Sequence, residues 1–285
     1  MKKIFFLGLL TVLGYSLYAQ KCIEGNCKNG TGKFLWENGD TYDGEWVNGK
    51  QQGNGISEFA DGNRYVGEFD DGRIEGKGTF IYASGEVYSG DYVLGKIHGK
   101  GKAMWPDSSH YEGDFVQGTR YGFGTYTWQN GNRYEGDWVD DRKQGRGIMY
   151  YIDGKKYDGQ WEADNIKGNG TLTFKDGSVY VGEFDRGKRN GRGTYTWLNG
   201  DIYEGEWVNN IRDGKGTFIF SNGGKYEGDF VAGTKEGQGT LFYPDGGKYV
   251  GQWKNNQPNG KGTYYYPNGE TLSGEWKDNE LIQKD

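Results

Sequence analysis

The chain is almost without histidine and poor in cysteine, and each shortage removes a class of chemistry. Its 285 residues include two histidines and two cysteines. His98, read as part of a turn, and His110, just ahead of Tyr111, have no recurring partner nearby. They read as solvated residues, not as metal ligands or a general base. No glycine-rich phosphate loop runs into Lys-Ser or Lys-Thr ahead of a helix, and the many Gly-x-Gly pairs sit between a turn and a strand, so no dinucleotide fingerprint is present. Beyond the first residues no stretch carries a helical period of useful length. Glycine excludes one: there are 54, and each interior glycine costs a helix roughly 1 kcal/mol. Aliphatic residues are also scarce. Of a 33% hydrophobic share, aromatics are 16% of the chain, so burial must come from Tyr, Trp and Phe. The net charge of −6 and the absence of a basic domain argue against nucleic acid as a partner.

What is present is repetition. Tyr134-Glu135-Gly136-Asp137-Trp138 is one copy of a pattern that starts at Tyr42, Tyr65, Tyr88, Tyr111, Tyr134, Tyr157, Tyr180, Tyr203, Tyr226 and Tyr249. It returns with leucine first at Leu272, and every start lies 23 residues after the last. Tryptophan holds the fifth place at Trp46, Trp138, Trp161, Trp207, Trp253 and Trp276. A fixed period of this length marks a stacked repeat architecture. In one repeat, Tyr180, Gly182 and Phe184 alternate with Val181, Glu183 and Asp185, which is strand periodicity. A break is expected at Gly187-Lys188-Arg189-Asn190, where the eighth place is always Gly, Asn or Asp. A second strand then puts Gly193, Tyr195 and Trp197 on one face and ends at Asn199-Gly200, a strong hairpin signal. Asp107-Ser108 lacks the glycine, which predicts a locally altered turn. The expected fold is all-β: an elongated, single-layer, twisted antiparallel meander of about eleven 23-residue β-hairpin repeats. Glycines in register leave backbone bare for the rings of neighbouring strands, so one sheet buries its own aromatics.

The ends differ from the middle. Residues 1–19 read as a secretory signal, with Met1-Lys2-Lys3 ahead of an apolar run and cleavage near Ala19-Gln20. Residues 20–41 form an N-terminal cap, a cysteine loop and half a repeat; 42–271 hold ten full repeats; 272–285 are a truncated repeat and C-terminal cap. Export favours a Cys22–Cys27 disulfide over two free thiols. It places the protein in a periplasm, at a cell surface or outside, and the signal type suggests a bacterium.

Tyr-x-Gly-x-Trp, a turn glycine, Gly-x-Gly and a closing Asn-Gly, at this period, resemble the MORN (membrane occupation and recognition nexus) repeat. The resemblance covers Lys28 to roughly Lys277. It implies an open sheet of hairpins that acts as a scaffold, a dimerisation module or a membrane-adjacent tether. Relatives that carry a lipid kinase or methyltransferase domain lend this chain no activity, because the repeats run to its end.

Two rows of charge are candidates for function. Carboxylates recur at the fourth place, from Glu45 and Glu68 to Asp229 and Glu275, with Gln160 and Gln252 as exceptions. They read as a polar outer face, since a catalytic pair needs one carboxyl in a distinct environment. Cations recur around the long turn at Lys50, Arg73, Lys96, Arg120, Arg142, Lys143, Lys167, Lys188, Arg189, Arg212 and Lys235. A regular meander would gather them on one basic edge able to meet an anionic lipid, a glycan or an acidic protein surface, unless they only keep turns soluble. The expected function is a non-catalytic, exported scaffold for protein–protein contacts at or near the cell envelope, with no cofactor. A homodimer is one form such a scaffold takes, and the alternative is a lipid- or glycan-binding module.

Overall fold

The computed structural model describes residues 20–285, so the secretory signal expected over 1–19 lies outside the described residues. Its 24 elements are all β-strands, from Lys21–Gly25 to Glu280–Lys284, and no helix occurs among the described residues. The chain divides into two compact units, Met1–Gly145 and Arg146–Asp285. Within each, strands pair antiparallel with their sequence neighbours as a meander.

Each full repeat supplies a strand of seven residues and one of nine, as in Val179–Asp185 and Lys188–Thr196. The turn between them is only Arg186-Gly187, with φ of 47° and 77°. Both central residues are left-handed, the hairpin turn whose twist matches that of its strands. The seventh place takes this conformation even as Leu94, Gln117, Ala163 and Ala232. Lys188 and Arg189, read from sequence as part of the break, therefore belong to a strand. His98 likewise lies in the strand Lys96–Met104 and not in a turn.

The Asn-Gly pairs close the wider connection. Trp197 N donates to Asp201 O at 2.9 Å and Gly200 N to Trp197 O at 3.0 Å. The turn at Asp107-Ser108 is not altered. Ser108 adopts φ 68° and its N–H donates to Trp105 O at 2.9 Å, as the glycines do. Asp107 Oδ1 accepts from Ser109 N at 3.1 Å and Ser109 Oγ at 2.6 Å, which holds the loop without glycine.

The core is a row of first-place tyrosines. Tyr42, Tyr65, Tyr111, Tyr134, Tyr157, Tyr180, Tyr203 and Tyr226 are each 0% exposed, although they share one sheet face and no second layer covers them among the described residues. Glycine explains this. The Tyr180 ring lies against the paired Gly182 and Gly193, and a Cβ on Gly193 would come within 2.2 Å of Tyr180 Oη. The edges of that ring face Phe184 of its own repeat (centroids 5.1 Å apart, 88°) and Trp207 of the next (5.4 Å, 82°). Such edge-to-face pairs each contribute roughly 0.5–1.5 kcal/mol beyond area burial. Polar ends are satisfied by backbone: Tyr180 Oη donates to Glu183 O at 3.0 Å, and Trp207 Nε1 to Gly193 O at 3.1 Å. Tyr92 takes the fifth place, and its buried hydroxyl has no hydrogen-bond partner among the described residues.

Gly193→Ala should lower stability by about 1–3 kcal/mol in urea unfolding, because the methyl must displace the Tyr180 ring. An unchanged midpoint would contradict this account of the core. Burial pushes the hydroxyls of Tyr157, Tyr180 and Tyr203 up to about 12 from 10.0. The folded state then holds protons that the unfolded chain releases, so stability is full below pH 10 and falls as pH rises toward 12. Circular dichroism should be lost together with the tyrosinate absorbance of the buried rings in one cooperative alkaline transition. Ionisation beyond that of exposed tyrosines such as Tyr121, Tyr265 and Tyr266 in an intact sheet would contradict it.

Candidate functional site

The two-residue turn decides where the cations point. Ninth- and tenth-place residues are successive residues of one strand, so their side chains leave on opposite faces. Lys50, Arg73, Lys96, Arg142 and Lys188 hold the ninth place and are exposed. Lys50 forms an ion pair with Asp71. Lys167, at the eleventh place, is paired with Glu162. Arg120, Lys143, Arg189, Arg212 and Lys235 hold the tenth place and turn onto the aromatic face. In other repeats that place is Gln51, Ile74, Ile97, Ile166, Pro258 or Leu281. The single basic edge expected from sequence is thus not formed. The signal that could have split it was the aliphatic residues standing in register with the inward cations.

Arg120 is a completed version of the tenth-place site. It is 5% exposed, with its guanidinium carbon 4.4 Å from the Trp138 ring centroid and 5.2 Å from that of Tyr126. Its Nε donates to Asp141 Oδ1 at 2.9 Å and its Nη2 to Asp141 O at 3.0 Å. Asp141 is the eighth-place residue of the next repeat, so the Arg120 side chain meets the following turn.

Arg189 repeats the pose without the charge partner. It stands 4.4 Å from Trp207 and 5.2 Å from Tyr195, and its Nη2 donates to Asn210 O at 3.0 Å. Arg212 lies 5.5 Å from Phe218 and from Phe230, and its Nη2 donates to Gly233 O at 2.8 Å. Lys235 Nζ lies 5.0 Å from Phe220 and from Tyr226, and the eighth-place residue here is Asn256. Burial lowers the pKa of all three, and the charge on Arg212 lowers those of Arg189 and Lys235 further. The rings offer cation–π attraction, which offsets only part of that desolvation.

The carboxylate ladder has a backbone task. Between the paired glycines and the turn, the longer strand bulges at a left-handed glycine such as Gly191, φ +85°. Glu183 Oε1 accepts the Arg192 N–H there at 2.8 Å, and Glu45, Asp91, Asp114 and Asp229 do the same in their repeats. Gln160 and Gln252 substitute because the bulge needs only an acceptor; they receive Asn169 N at 2.7 Å and Lys261 N at 2.9 Å. On this face Lys77 pairs with Asp91 at 2.7 Å and Lys100 with Asp114 at 2.6 Å. A shallow trough above the glycine row is lined by Glu68, Lys77, Lys100 and Glu112 in the first unit, and another by Arg192, Glu204, Glu206 and Lys215 in the second.

No group of three or more His, Cys, Asp or Glu able to hold a metal occurs among the described residues. In the first hairpin the sulfurs of Cys22 and Cys27 are 2.12 Å apart and the Cα atoms 5.9 Å apart. Asp141→Asn should cost about 1–3 kcal/mol in urea unfolding by leaving Arg120 buried without a counter-ion. No loss would mean that the rings and the carbonyl suffice.

No curated protein matches the chain. Among solved structures, the TCP10 domain of Danio rerio CPAP, in complex with a peptide of Danio rerio STIL, has a TM-score of 0.41 at 12% identity, covering 90% of this chain and 99% of that one. The SAS-4 (dCPAP) TCP domain of Drosophila melanogaster, in complex with a proline-rich motif of Ana2, has a TM-score of 0.39 at 14% identity, covering 61% and 99%. Likeness at this level carries no argument about function. The family model of the MORN repeat matches residues 28–41 and then ten successive stretches of 23 residues, from 42–64 to 249–271. With nearly all the described residues matched in unbroken register, the chain belongs to the MORN repeat family.

Proposed function

We propose that this protein is a non-catalytic, exported repeat scaffold that holds a protein partner at or near the cell envelope. One observation carries the reading. The side chains able to do chemistry are occupied by the same backbone contacts in repeat after repeat: fourth-place acids and amides accept bulge N–H groups, and first-place hydroxyls donate to carbonyls. Glu45, Asp91, Asp114, Glu183 and Asp229 share one backbone environment at the bulge, whereas a general acid or base requires a distinct one. What varies between repeats is the exposed ninth place, the trough walls and the tenth place on the aromatic face. Proteins that vary surface on a constant frame recognise partners by contact.

The leader-like first residues and the joined Cys22 and Cys27 support export, since such bridges persist in oxidising compartments. The protein's place is then a periplasm, a cell surface or the medium. Lipid or glycan docking on the turn edge is a weaker reading, because the tenth-place cations have left that edge.

Crosslinking in intact cells followed by mass spectrometry should recover a discrete protein joined through these varied positions, in an exported fraction. Recovery of a second copy would make the scaffold a homodimer. Recovery of lipid or glycan alone, or of the chain in the cytoplasm, would overturn the reading.

A further inference from the structure

The three cations of the second unit hold the place of Arg120 but not its charge partner, the eighth-place residue of the following repeat. Where Arg120 meets Asp141, Arg189 meets Asn210, Arg212 meets Gly233 and Lys235 is followed by Asn256. None of the three has an ion pair among the described residues. They fall in three successive repeats, on one face, half-buried among half-exposed rings such as Trp197, Phe218 and Phe220. A desolvated cation with no internal carboxylate is strongly improved by an external one, because charge-assisted hydrogen bonds are about twice as strong as neutral ones.

The spacing selects the ligand. Two strands separate successive members, so the charges recur at about 9.5 Å. A polyproline II segment advances about 3.1 Å per residue, which puts every third side chain on the same side at about 9.3 Å. An extended β-strand instead offers same-side residues at about 6.7 Å or about 13 Å, and meets neither. Polyproline II segments also dock on aromatic-lined grooves, since their backbone is already ordered when free.

We propose that Arg189, Arg212 and Lys235 form a registered anion track that binds an acidic peptide segment in polyproline II form, with a carboxylate at every third residue. This rests on the scaffold reading and names the chemistry of the partner. Each carboxylate sits on one cation, and the residues between carboxylates lie against the rings.

The test titrates the full chain with a fluorescent peptide of repeated Glu-Pro-Pro triplets, with a control peptide of equal composition whose glutamates form one block, and with a polyuronate. The triplet peptide should bind about tenfold or more tighter than the block. Supplying the missing counter-ions with Asn210→Asp and Asn256→Asp should weaken triplet binding by a similar factor while the urea midpoint holds or rises. Arg120 with Asp141 shows that the frame accepts this pairing. Arg212→Gln should weaken binding as well. Equal binding of both peptides, binding untouched by the paired aspartates, or binding of polyuronate alone would overturn the track. If crosslinking still captures a protein while the triplet peptide fails, the track falls and the scaffold stands. If the triplet peptide binds but only lipid or glycan is captured in cells, the track stands and the scaffold falls.

Discussion

A tyrosine ring resting on a pair of bare glycine backbones is the contact on which the structure depends. An ordinary strand holds its neighbours' rings away by the width of its own Cβ atoms, and a single sheet then leaves its aromatics wet on one side. Here the paired third- and fourteenth-place glycines remove that spacer. The ring of Tyr203 approaches Gly205 and Gly216 so closely that a Cβ on Gly216 would lie 2.4 Å from its hydroxyl oxygen. Rings at the fifth place close the remaining two sides edge-on, 5.2 Å away for Trp207 and 5.0 Å for Phe230. The interaction is local and nearest-neighbour, so stability accumulates repeat by repeat as in other repeat proteins.

That contact sets the rest of the repeat. The longer strand must bring its fourteenth-place glycine opposite the third-place glycine and still close a two-residue turn at the other end. Two extra residues are left over, and they form the bulge. The left-handed glycine of the bulge and the acceptor that fills it follow from that surplus. A carboxylate or an amide serves equally, which is why Gln160 and Gln252 interrupt the acidic row without disturbing the fold.

Much of this was legible in the sequence. The period, the two strands, the glycine–ring complementarity and the family all follow from Tyr-x-Gly-x-Trp and Gly-x-Gly in register. What was not legible was which of two turns is tight. Asn199-Gly200 is a standard two-residue hairpin signal, yet it lies within a five-residue loop, while Arg186-Gly187 carries no such signature and makes the tight turn. Pairing of the flanking strands overrides the local preference of Arg186. In a turn at Gly187-Lys188-Arg189-Asn190, Lys188 and Arg189 would be loop neighbours sharing an edge. They are strand neighbours on opposite faces.

The tenth place then poses a question of cost. Isoleucine fills it at Ile74, Ile97 and Ile166, and Ile97 is 6% exposed, so the frame needs no charge there. Replacing a buried ion pair by a packed apolar residue is commonly neutral or stabilising, and an unpaired buried charge is worse than either. Arg120 carries its own remedy in Asp141. Arg189, Arg212 and Lys235 carry none, and the charge on Arg212 lowers the pKa of both other members of the row. Stability therefore does not account for them. A cation that lacks a counter-ion at three consecutive positions, on rings left half-exposed, is accounted for by what it meets from outside.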